Sequence, residues 1–132
     1  MEIQFRINEK VAAQPVIDVF KSSGINRPVD DIKRIQTMLD SSNLVITAWN
    51  GSELIGISRS VTDYSYCCYL SDLAVKKEYQ KFGIGKTLIE LTQQSIGEQT
   101  MLLLLSTTSA MEYYPKVGFE KVENGFIIKR KI

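Results

Sequence analysis

The sequence predicts an α+β fold, a central mixed and mostly antiparallel sheet with about four helices. Three observations carry that class. Two apolar runs, Leu44 to Trp49 and Leu54 to Val61, flank Asn50-Gly51-Ser52-Glu53, and the Asn-Gly pair is a strong hairpin signal, so an antiparallel meander is expected here. Farther on, a strand ending at Val75, a helix opening after Gly83 and the unbroken apolar run Met101 to Leu105 make a βαβ unit, whose two strands should be parallel. Glu2 to Asn8 sets Ile3, Phe5 and Ile7 against polar neighbours at period 2, the pattern of a half-buried strand that opens the sheet.

The remaining elements follow in order. Pro15 suits the first turn of a helix whose apolar stripe, Val16, Ile17 and Phe20, ends near Gly24. Asp30 or Asp31 caps a second helix, in which Ile32, Ile35 and Leu39 recur at helical spacing until Ser41, Ser42 and Asn43 break it. The link between these helices, Ser23 to Val29, is polar. Tyr66 to Val75 reads as a further strand, on which the adjacent Cys67 and Cys68 should face opposite ways, so a disulfide between them is disfavoured. They are either reactive thiols or small strand residues of a reducing compartment. From Gly83 onward Ile84, Leu88 and Leu91 lie at i, i+4 and i+7, joined by Ile89 and Ile96, in a helix that stops near Gly97. Met101 to Leu105 is expected to be a central strand covered on both faces. Ser109 is placed to cap a short helix, Ala110 to Val117, ended by Gly118. Phe119 to Val122 and Phe126 to Lys131, separated by Glu123-Asn124-Gly125, predict a closing hairpin.

Composition narrows the function. At 132 residues the chain is read as a single domain, residues 1–132, large enough to bury a real core. A formal net charge of +1 gives no long-range attraction to nucleic acid or anionic lipid, so any basic site must be local. No apolar run approaches the ~20 residues of a membrane span, and the polar start around Glu2, Gln4 and Arg6 does not read as a signal peptide; a cytoplasmic location is expected. Histidine is absent, which removes His-based triads and most zinc sites and leaves Asp, Glu, Tyr, Lys or Cys for proton transfer; no metal is expected.

The chain's candidate ligand site is the loop Gln80-Lys81-Phe82-Gly83-Ile84-Gly85-Lys86-Thr87, between a strand and a helix. Orphan amides and the dipole of a helix's first turn stabilise an anion there, and glycines at 83 and 85 let a phosphate approach the backbone. Gly85-Lys86-Thr87 invites comparison with the nucleotide P-loop, but Gln80 stands where that motif needs its first glycine. The dinucleotide pattern also fails, since Leu88 stands at the third glycine's place.

What remains, Q-x-x-G-x-G at Gln80 to Gly85 after the strand ending Leu73-Ala74-Val75, resembles the [QR]-x-x-G-x-[GA] motif of the GCN5-related N-acetyltransferase superfamily. Ala110-x-x-Tyr113-Tyr114-x-x-x-Gly118-Phe119 is similar to that family's A-x-x-[FL]-Y-x-x-x-G-F signature. Together the matching segments span Tyr66 to Phe119. The resemblance implies α/β/α layers with a splayed parallel strand pair, the gap lying between the strands that end at Val75 and Ser106. It implies acetyl-CoA as cosubstrate, with its pyrophosphate on the amides of Lys81 through Lys86 and its pantetheine along Leu73, Ala74 and Val75 like an added strand. Gln80, Lys81, Phe82, Gly83, Ile84, Gly85, Lys86 and Thr87 form the implied cofactor loop, and Tyr114 touches the cofactor from the other side. Lys76, Lys77, Lys81 and Lys86 either neutralise the ribose phosphate or form a solvated face.

The implied reaction is direct attack of a primary amine, on a small molecule, upon the thioester, followed by expulsion of CoA thiolate. Tyr114 occupies the family's acid position; Tyr113, about 100° round the helix, is read as packing. For the base, Asp72 acting through water is one candidate, and Asp63, Glu112 or bulk solvent stay open; relatives carry Glu-Asp where this chain has Ser71-Asp72. Thr107 replaces an Asn of many relatives. The acceptor pocket is expected from Ser23 to Val29, the strand around Arg59, and Tyr66. A homodimer fits the resemblance, and a non-catalytic acyl-CoA-binding or regulatory module is the alternative function.

Overall fold

In the computed structural model, which describes residues 1–132, five strands form one sheet in the order β1-β2-β3-β4-β5. β1 (Ile3–Ile7), β2 (Leu44–Asn50), β3 (Glu53–Thr62) and β4 (Cys67–Val75) pair antiparallel in succession, and β5 (Met101–Leu103) joins β4 in parallel. The β2–β3 connection is the two-residue turn Gly51-Ser52, with Gly51 at φ 58°, a left-handed geometry that an L side chain rarely adopts.

Helices cover both faces of the sheet. α1 (Ala13–Ser23) and α2 (Ile32–Asp40) bring Val16, Ile17, Val19, Phe20 and Ile35 onto Val45, Leu54, Ile57 and Ala74. α3 (Ile84–Ile96) lays Ile84, Leu88 and Ile96 on the opposite face against Leu44, Ile46, Ala48, Ile55 and Val75. The result is the expected α/β/α layering. Each fully buried side chain of the Phe20 or Ile35 kind stabilises the fold by about 1.5–3 kcal/mol. Asp31, of the two candidates, caps α2: its Oδ1 accepts from the Arg34 amide at 3.1 Å. No helix is long and apolar enough to cross a membrane.

Two irregularities re-aim side chains. The β2–β3 register moves from Ala48↔Gly56 to Trp49↔Leu54, leaving Ile55 as an extra residue, so Leu54 faces α1 and Ile55 faces α3. The β3–β4 register moves from Arg59↔Asp72 to Ser60↔Leu70, leaving Ser71 as the extra residue.

The carboxyl-terminal third departs from expectation. β5 is a three-residue edge strand, with Met101, Leu103 and Leu105 exposed, because no further strand lies outside it. Its pairing with β4 covers only Cys67 to Tyr69. The helix expected over Ala110 to Val117 is split into a 3-10 turn (Thr108–Ala110) and a single α turn, α4 (Tyr113–Lys116), without a side-chain cap from Ser109. The tail hairpin does not form within the chain: no residue after Phe119 is in a strand. An Asn-Gly turn specifies only a local reversal, and an isolated two-stranded hairpin is marginal in water.

Candidate functional site

β4 ends at Val75, and a 3-10 turn (Lys77–Tyr79) leads into the glycine loop. Gln80 Nε2 donates to the Val75 carbonyl at 3.0 Å, pinning the loop to the strand end. Gly83 stands at the N-cap of α3 with φ 74°, and no side chain caps the helix. Consequently the amides of Lys81, Phe82, Gly83, Ile84, Gly85 and Lys86 have no backbone acceptor. These donors sit at the positive end of a 13-residue helix, an arrangement suited to a phosphate. Thr87 differs from them: its amide and its Oγ1 both donate to Gly83 O at 3.1 Å, so it braces the turn.

Buried Ile84 anchors the loop to the core, and Gly85 makes a close approach. A Cβ on Gly85 would come within 3.1 Å of the Tyr113 hydroxyl and 4.0 Å of Val75 Cγ2. The loop, the end of β4 and the Tyr113-Tyr114 segment therefore meet in one place. Tyr113, expected to pack, does pack edge-on against Tyr114, and its hydroxyl also lies over Gly85 of the glycine loop; the phenol at a position where the family motif has Phe or Leu was the available signal for the latter. Leu73, Ala74 and Val75 pair with Ser58, Ile57 and Gly56 on one side only, since β5 has left β4 after Tyr69↔Leu103. An extended amide-bearing ligand has room to add there.

Tyr114 is half-buried, edge-on to Tyr113 and Phe119 at centroid distances of 5.3 and 5.4 Å. Burial pushes its phenol above the ordinary value, Tyr113 adds to the rise and the Arg27 charge opposes it. The group thus stays protonated at neutral pH. Burial raises Tyr113 as well.

Asp72 is fully buried. Its two oxygens accept from Arg27 Nε and Arg59 Nε, each at 2.5 Å. Arg59 also donates to Ser71 Oγ and Ser42 Oγ at 2.9 Å, and Arg27 to the Ser71 carbonyl at 2.7 Å and the Asn26 carbonyl at 2.7 Å. The Ser23 to Val29 link and the strand around Arg59 do converge, but on Asp72; Tyr66 is 79% exposed and stands outside the cluster. No sequence signal marks Arg27, which lies 45 residues from Asp72 in a polar loop. Asp63, also open as a base, accepts from the amides of Ser65, Tyr66 and Cys67, which lower it to about 2 and commit it to the β3–β4 turn.

Among the lysines, Lys76 is paired with Glu53 at 3.0 Å, and Glu53 also accepts from Tyr79 Oη at 3.1 Å. Lys86 lies 3.9 Å from Glu90, both exposed. Lys77 and Lys81, in no ion pair, are the cations left for a ligand. Cys67 is exposed and Cys68 buried, on opposite faces as expected, and burial raises the Cys68 thiol.

A splayed parallel pair beside an uncapped glycine loop, inside α/β/α layers, defines the acyl-CoA N-acyltransferase class of fold. Residues 7–129 match the family model of the acetyltransferase (GNAT) domain, and the chain belongs to the GCN5-related N-acetyltransferase family. It is similar to an uncharacterized N-acetyltransferase, ycf52, of Pyropia yezoensis, 24% identical over 107 residues, which are 76% of this chain and 60% of that protein. The chain thus spans under two thirds of that relative's length. Among solved structures it resembles a probable acetyltransferase of unknown function from meticillin-resistant Staphylococcus aureus, with a TM-score of 0.83 at 20% identity over 98% of this chain and all of that one. An aminoglycoside N-acetyltransferase in complex with CoA superposes with a TM-score of 0.74 at 15% identity, over 99% of this chain and 96% of that one. At these identities the structural likenesses speak for the fold.

Proposed function

We propose that the protein is an N-acetyltransferase that moves the acetyl group of acetyl-CoA to a primary amine on a small molecule. The observation that carries this is the row of unpaired amides from Lys81 to Lys86 opening beside the free edge of Leu73 to Val75, with Tyr113, the neighbour of Tyr114, against Gly85. In this reading the amides hold the pyrophosphate, the strand edge pairs with the pantetheine amides, and Gln80 and Thr87 keep the loop in shape. Tyr114, kept protonated at neutral pH by burial, gives its proton to the departing thiolate. Asp72 positions: engaged by two guanidinium groups, it holds the Ser71 bulge and the Arg27 loop around the reaction centre, and the incoming ammonium loses its proton to water. The CoA-bound aminoglycoside acetyltransferase of like fold supports both the cosubstrate and a small amine acceptor. The unpaired thiols fit a reducing compartment, the cytoplasm in this reading.

Acetyl-CoA at a hundredfold excess over its dissociation constant is expected to stabilise the protein by about 2.7 kcal/mol, read as a higher melting temperature. Thiol release from acetyl-CoA, followed across a panel of amines, then identifies the acceptor. No melting shift at millimolar acetyl-CoA would overturn the assignment. One observation favours a second reading, a non-catalytic acyl-CoA-binding module: Asp72 is fully buried and each of its oxygens is engaged by a guanidinium group. A melting shift without thiol release on any amine would select it.

A further inference from the structure

Asp72 is shared by the guanidinium groups of Arg27 and Arg59, and no other acidic side chain pairs with either. Two cations to one anion leave this cluster with a positive charge in excess. The two arginines differ in access. Arg59, with 10% of its side chain exposed, spends its donors inward on Asp72, Ser42 Oγ and Ser71 Oγ. Arg27 reaches solvent, with 23% of its side chain exposed. Of the five N–H groups of a guanidinium it commits Nε to Asp72, one on Nη1 to the Asn26 carbonyl and one on Nη2 to the Ser71 carbonyl. One hydrogen on each terminal nitrogen is left without an acceptor.

The place of this charge gives it meaning. Ser71 and Asp72 precede Leu73 to Val75 on β4, the free edge that leads to the unpaired amides of Lys81 to Lys86. A pantetheine arm running from those amides back along the edge brings its thioester to Ser71 and Asp72, the two residues Arg27 grips. Arg27 also acts on Tyr114, where its charge opposes the rise of the phenol's pKa, so guanidinium and acid border the same spot.

We propose, on the acetyltransferase reading, that the acceptor is an amine carrying a carboxylate a few bonds from its nitrogen, an amino acid in the simplest case, and that Arg27 holds the carboxylate. Its two oxygens take the two uncommitted N–H groups as charge-assisted hydrogen bonds, and its charge cancels the excess of the cluster. The amine, tethered a few bonds away, is thereby held near the thioester. A polyamine or polycationic sugar would instead bring like charge against the guanidinium.

A panel of amino acids, each beside its own amide, together with a polyamine, tests this. Thiol release from acetyl-CoA gives kcat/KM for each, and melting in saturating CoA reads acceptor binding without turnover. The wild type should prefer amino acids to their amides by about tenfold or more, through KM, and the amino acids should raise the melting temperature of the CoA complex more than the amides do. Arg27→Gln should erase that preference and keep the acetyl-CoA melting shift. Arg27→Lys, which retains a cation beside Asp72 but has a single terminal nitrogen, should shrink it, and decides the matter if the glutamine variant does not fold. Amides that serve as well as amino acids across the panel, a polyamine that serves better, or a preference undiminished in the variants overturns the proposal while the acetyl-CoA shift stands. If no amine releases thiol, the transfer reading fails, and equal melting with amino acid and amide then overturns the carboxylate site as well. Absence of the acetyl-CoA shift itself overturns both.

Discussion

Tyr114 shows how a motif position and its surroundings combine. A tyrosine on a short helix is ordinarily a packing residue, and the edge-on contacts with Tyr113 and Phe119 are of that kind. The same packing raises its pKa, which keeps the phenol protonated throughout the neutral range. Tyr114→Phe is expected to lower turnover while leaving acetyl-CoA affinity near the wild-type value, measured by steady-state thiol release and by melting shift; unchanged turnover would remove the acid role. Because the protonated phenol is the active form and is lost only as pH rises through a value above 10, wild-type turnover should show no alkaline fall from this group below about pH 10. Tyr114 was legible from the sequence because its motif is local. The Tyr113 hydroxyl over Gly85 was not, since it depends on how α4 lies against the loop.

At the scale of elements, the glycine loop works through its backbone. Gly83 closes the turn at positive φ, Gln80 ties it to Val75, and the first turn of α3 is left without a cap. A side chain at 85 meets the Tyr113 hydroxyl, and a carboxylate there repels the anion the amides attract. Gly85→Asp should therefore abolish the acetyl-CoA melting shift, by charge and bulk, in a protein that still folds; a retained shift would place the phosphates elsewhere. α1, α2, α3 and the meander were readable because each follows from spacing and caps within a few residues. The closing hairpin was readable as strand material and misassigned as a finished element, because an Asn-Gly turn fixes a local reversal but not the pairing of the segments that flank it.

Across the whole molecule, Asp72 is the junction. It joins Arg27 of the α1–α2 link and Arg59 of β3, and through Arg59 reaches Ser42 before β2, so one carboxylate ties the helical layer to three strands' worth of chain. Removing the negative charge leaves two guanidinium groups, largely buried, without a counter-charge. Asp72→Asn is expected to cost about 3 kcal/mol or more in urea unfolding, with a melting temperature lowered on the order of 10 °C. If stability is unchanged while turnover falls, Asp72 is acting as the base that sequence reasoning first considered. Residue order alone was enough for the mixed sheet, the glycine loop at the start of a helix and the family motifs, because hydrophobic period, turn chemistry and glycine placement all act over a few positions. Tertiary structure decided what Asp72 touches, which tyrosine overhangs Gly85 and where the tail is left, because each depends on contacts between segments tens of residues apart, which no local pattern encodes.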